Sequence, residues 1–128
     1  MAILVAAMLL LPTRVSAQEE RDDWPWTTIT TRDSIRFSYL FYSEADSENN
    51  GVVLKLSNGG AVHRRYSFTV VFRSTEGVEA TDNVNGTIDP RSAKTGDNDG
   101  LFWIPFEDGS EISEVGLRRI RISALSGT

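Results

Sequence analysis

The chain has 128 residues, with 13 Lys plus Arg against 18 Asp plus Glu, a single His and no Cys. At this length one domain with one core is expected, and the lack of Cys excludes a disulfide framework, a thiolate nucleophile, a Cys-based zinc site and an iron–sulfur cluster. A formal charge of −5 argues against nucleic acid and against anionic membranes, since phosphate recognition needs a net basic face to displace counterions.

Residues 1–17 read as an export signal. An apolar run over residues 2–11 is followed by Pro12 and a short polar stretch ending Val15-Ser16-Ala17, which suits cleavage before Gln18. The run is shorter than the roughly 20 residues a membrane-spanning helix needs. The expectation is therefore a released mature chain, secreted or periplasmic, with no membrane span; a retained short anchor is the alternative, because no Lys or Arg precedes the apolar run. Cleavage removes Arg14 and no acid, leaving a formal charge of −6. Residues 18–26 form a charged and aromatic lead-in, in which Pro25 disfavours helix at Trp24.

Residues 27–126 carry a succession of alternating apolar runs separated by turn residues. Ile35, Phe37, Tyr39 and Phe41 occupy every second position, so a strand would turn all four to one face. Val52, Leu54 and Leu56 repeat the pattern after a polar loop over residues 43–51, and Tyr66, Phe68, Val70 and Phe72 repeat it after Asn58-Gly59-Gly60. Residues 78–88 read as one interrupted strand or a short edge pair, and residues 91–99 as a polar loop. Residues 101–106 are apolar throughout, as in a strand buried on both faces until Pro105 limits its bonding. In the last segment Val115 and Leu117 change parity with Ile120 and Ile122, which predicts a β-bulge.

The runs over residues 52–57, 66–73, 86–90 and 100–106 resemble the strand grammar of bacterial secreted immunoglobulin-like and fibronectin-type-III-like domains. The resemblance covers most of residues 27–125, without the paired Cys of antibody domains. It implies an all-β fold, a single antiparallel β-sandwich of about seven strands, immunoglobulin-like, after the cleaved signal peptide. Such folds serve adhesion, spacing and ligand binding alike, so the resemblance implies architecture and little chemistry.

Among the residues that carry chemistry, His63 is the one imidazole and is expected on an exposed turn. Asp97 and Asp99, with Asp89 as a remote contributor, are the candidate Ca²⁺ ligands, although a hard cation takes about six to eight oxygens. The acidic stretch over residues 46–51 begins like a calcium loop and then runs into a strand; turns at Asn50-Gly51 and Asp99-Gly100 are the plainer reading of both. Trp24 and Trp26, with Tyr42, are the candidate ligand-binding aromatics, whereas Trp103 is expected in the core. Arg118, Arg119 and Arg121, with Arg64 and Arg65, are expected to pair across strands with acids; a patch for carboxylates or sulfated glycans is the competing reading. Asn85-Gly86-Thr87 matches a glycosylation acceptor, a common tripeptide.

The leading expectation is a non-enzymatic interaction or structural domain whose partner is a protein or a carbohydrate. It would act through Trp24, Trp26 and Tyr42, or through a sheet edge over residues 78–88 open to strand addition. A small Ca²⁺-dependent carbohydrate-binding module is the second reading. A small hydrolase built on His63, or on the carboxylates Glu111 and Glu114 or Asp97 and Asp99, is the third.

Overall fold

The computed structural model describes residues 25–46 and 48–125. The export signal, Trp24 and the rest of the lead-in before Pro25 lie outside the described residues. Eight strands follow in order: β1 (Thr27–Arg32), β2 (Ile35–Asp46), β3 (Asn49–Asn58), β4 (Arg64–Ser74), β5 (Glu79–Ile88), β6 (Ser92–Thr95), β7 (Phe102–Trp103) and β8 (Ile112–Ala124), with one 3₁₀ turn at Asp97–Asp99. They form two antiparallel sheets. The first has the order β1-β2-β3-β6, with β7 also paired to β3, and the second has the order β5-β4-β8.

Alternation decides which side chains meet between the sheets. Ile35 and Phe37 from β2, Val52, Leu54 and Leu56 from β3, and Tyr66, Phe68, Val70 and Phe72 from β4 are all buried in one cluster. Each such side chain contributes roughly 1.5–3 kcal/mol relative to exposure. Phe37 meets Phe68 edge-on across the gap, with ring centroids 5.4 Å apart, so the two sheets are packed face to face through aromatic contacts. Gly86, directly opposite Tyr66 in the β4–β5 ladder, leaves the space the phenol occupies: a Cβ there would lie 2.7 Å from the Tyr66 hydroxyl.

A buried amide closes one end of the sandwich. Asn58 donates from Nδ2 to the carbonyls of Val62 (2.9 Å) and Asp89 (3.1 Å), and its Oδ1 accepts from the N–H of Gly60 (3.0 Å). The β3–β4 crossover and the β5–β6 crossover are thereby tied to one side chain that is 2% exposed.

Several expectations are corrected by strand pairing. The Asn50-Gly51 turn does not form: both residues lie within β3, with Gly51 opposite Tyr42, and the chain reverses between Asp46 and Asn49. Residues 92–95 are a strand rather than loop, because β3 offers residues 55–58 an antiparallel partner that no local pattern announces. The segment over residues 101–106 shrinks to the two-residue edge strand β7, bonded to β3 alone, with Phe102 and Trp103 half-buried. Residues 79–88 form one continuous strand at the edge of the second sheet. The parity change in β8 is a bulge. Ser67 faces Arg121 and Thr69 faces Arg118, so Arg119 and Ile120 together stand opposite Phe68, and Arg119 takes a φ of 55°.

Candidate functional site

The β1–β2 ladder ends at the Thr27–Tyr39 pair, while β2 runs on to Asp46. Beyond that point one edge of β2 has no strand neighbour among the described residues. Phe41 and Tyr42 lie there, 44% and 36% exposed, on opposite faces of the strand. They border a cleft of about 180 Å³ lined also by Ser43, Asn50, Glu111 and Ile112. The cleft thus sits where the far end of β2, paired with β3, approaches the start of β8.

Its walls are held by specific contacts. Tyr39 packs edge-on against Phe41 at 5.2 Å, and Phe102 packs edge-on against Tyr42 at 6.0 Å. Gly51 permits the second contact, because a Cβ at that position would come within 2.9 Å of the Phe102 ring. Asn50 Nδ2 donates to the carbonyl of Ser110 (3.3 Å) and Asn49 Oδ1 accepts from the N–H of Gly109 (3.0 Å), which fastens the β2–β3 hairpin to the loop before β8. The Ser110 hydrogen bonds also hold the Asp108 carboxyl below the usual carboxylate range.

Trp26 belongs to another place. Its ring lies 5.4 Å from the Lys55 ammonium, in cation–π contact, over a polar cleft of about 310 Å³ that includes Arg36, Ser38 and Ser57. Trp26 and Tyr42 therefore line separate clefts of the first sheet, and Trp24 lies outside the described residues. Phe41, Phe102 and Gly51 join Tyr42 instead. Alternation places Phe41 on the inward face of β2 with Ile35 and Phe37, yet its ring is 44% exposed.

The other candidates are dispersed. Asp99 accepts from the N–H of Thr95 (2.8 Å) through its carboxylate, and the main chain of Asp97 accepts from the N–H of Gly100, whose φ of 71° makes the expected tight turn. No group of three or more His, Cys, Asp or Glu side chains converges among the described residues. Asp97, Asp99 and Asp89 are not gathered into such a group. His63 is exposed and pairs with Asp89 at 3.1 Å. Glu114 is engaged by Arg73 at 2.6 Å, whereas Glu111 lines the edge cleft. Trp103 packs on Phe72 at 5.4 Å against the core cluster and reaches Asp82 with its indole N–H.

Charge is organised on the outer face of the second sheet. Arg73 bonds Glu79 and Glu114, and Arg118 bonds Glu79 at 3.2 Å. Hydrogen bonds from Arg73 and then Arg118 hold the Glu79 carboxyl below its ordinary range, and hydrogen bonds to Glu79 and then Glu114 raise the Arg73 guanidinium. Burial, with the Asp99 charge second, pushes the Tyr66 phenol up.

No family model, curated protein or solved structure matches the chain. Among the described residues no helix is long and apolar enough to cross a membrane.

Proposed function

We propose that this chain is a secreted or periplasmic interaction domain of the immunoglobulin-like kind, without catalytic activity, which takes an extended segment of a protein partner at the Phe41–Tyr42 edge cleft. The observation that carries the reading is the stretch of β2 beyond Tyr39, one edge of which has no strand neighbour among the described residues. Two neighbouring aromatics are exposed where the β1 ladder has stopped, and an extended segment placed there would find main-chain partners along β2 and apolar contact on Phe41, Tyr42 and Ile112. Backbone pairing supplies affinity in such docking and the side-chain cleft supplies selectivity.

Strand order supports the immunoglobulin-like architecture. The sheet β2-β3-β6 joins the first, second and fifth strands once β1 is set aside, as in the A, B and E strands of such sandwiches, whereas β5 lies beside β4 in the other sheet and β7 pairs with β3. The apolar run and small residues before Gln18 support export.

The test is photocrosslinking in the producing cell, with a benzophenone side chain placed at position 42 in one variant and at position 61, in the exposed β3–β4 connection at the other end of the β2–β3 ladder, in another. A discrete, protease-sensitive adduct from position 42 alone is expected. Equal adducts from both positions, or none from either, would overturn the proposal.

A further inference from the structure

The outer face of the second sheet has two unlike ends. At one end Arg73 and Arg118 are matched by Glu79 and Glu114. At the other, the ladder sets Arg65 between Thr87 and Ser123, and Ser67 between Asn85 and Arg121, so that Arg65 and Arg121 are diagonal neighbours with hydroxyl and amide groups around them. No acidic side chain pairs with Arg65, Arg119 or Arg121 among the described residues.

The bulge in β8 builds this second end. In an unbroken strand Arg118 and Arg119 would point to opposite faces. The extra residue instead sends Ile120 to the core and leaves Arg118, Arg119 and Arg121 on the outside. Two adjoining clefts result, of about 590 Å³ and about 270 Å³, which share Ser67, Asn85 and Arg121. Arg65 stands in the first and Arg119 in the second, and neither cleft is lined by Asp or Glu. The clefts make a groove along β4 with three guanidinium groups and intervening neutral donors.

We infer that this groove binds an anionic polysaccharide through its sulfate or carboxylate groups. Guanidinium forks bond such oxyanions in bidentate fashion, and Ser67, Asn85 and Ser123 offer the neutral partners that sugar hydroxyls take. Nucleic acid fits less well. Tyr66 and Phe68 turn their rings into the core, which leaves the groove no stacking platform for bases, and the chain as a whole is acidic. The groove shares no lining residue with the Phe41–Tyr42 cleft, so either proposal can fail without the other.

The experiment is calorimetric titration of residues 18–128 at near-physiological salt with a heparin-type hexasaccharide, a polygalacturonate oligomer, neutral dextran and single-stranded DNA. Binding of one or both anionic sugars is expected, weakening as salt rises. The better of the two identifies sulfate or carboxylate as the group recognised. The double variant Arg65→Gln/Arg121→Gln should bind at least about ten-fold more weakly, whereas Arg73→Gln at the matched end should bind as the parent does, with melting curves verifying that all are folded. No binding of either anionic sugar, equal binding of dextran or DNA, or an equal loss in Arg73→Gln would overturn the inference.

Discussion

The indole Nε1 of Trp103 donates a 2.7 Å hydrogen bond to the carboxylate of Asp82, joining β7 in the first sheet to the edge strand β5 in the second. The bond is charge-assisted but open to solvent, so its net contribution is modest. Asp82→Ala should lower stability by about 1 kcal/mol and change the emission of Trp103 in the folded state. Chemical denaturation followed by fluorescence and by far-ultraviolet circular dichroism checks both.

Gly86 and Tyr66 form a size-complementary pair. Because a Cβ on Gly86 would meet both the Tyr66 hydroxyl (2.7 Å) and its ring carbon Cζ (3.0 Å), Gly86→Ala forces the phenol to move within the core. A loss of about 1–3 kcal/mol is expected, as for other overpacking changes. Tyr66→Phe removes only the nearer contact. The double variant should therefore lose less than the sum of the two single variants, in a denaturant cycle.

Asn58 serves three main-chain groups at once. Asn58→Ala would leave the carbonyls of Val62 and Asp89 and the N–H of Gly60 without this partner, which should destabilise the domain by about 2–3 kcal/mol. Hydrogen exchange should rise first at Gly60, whose amide has lost its acceptor. Uniform exchange along the chain would contradict that local role.

The Glu79 carboxyl, held down first by Arg73 and then by Arg118, gives a pH dependence of known sign. A carboxyl whose folded-state pKa is depressed stabilises the fold above its unfolded pKa, and that contribution disappears as pH falls through the folded value. Because the group is solvent-exposed the effect on stability is small. NMR titration should find Glu79 below an ordinary Glu, and Arg73→Gln should move it upward. An unshifted Glu79 in the parent protein would remove the ion-pair network as an organising feature in solution.

Calcium should leave the melting temperature unchanged. The Asp99 carboxylate accepts from a backbone N–H, and no third ligand of the carboxylate or imidazole kind joins it and Asp97 among the described residues. Thermal melts of residues 18–128 in millimolar Ca²⁺ and in chelator test this. A rise reversed by chelation would restore the Asp97–Asp99 turn as a cation site.

What the sequence by itself determined is the set of inward faces. Ile35 and Phe37, Val52 to Leu56 in steps of two, and Tyr66 to Phe72 in steps of two are core positions because a strand has a period of two and those residues are large and apolar at every second place. The bulge of β8 was legible for the same reason, as a break in parity between Leu117 and Ile120. Tertiary structure decided what periodicity does not encode, namely where each strand stops and what lies beside it. β1 ends its ladder at Tyr39, and Phe41, two residues on, is 44% exposed; β3 lends residues 55–58 to a polar segment and makes it β6; Gly51 yields its place to the Phe102 ring. The two ends of the Arg-bearing face are separated in the same way. Arg118 and Arg121 read alike along the chain, and only the neighbouring strands give the first Glu79 and the second Ser67 and Asn85, since charge pairing depends on proximity across a ladder rather than on order in sequence.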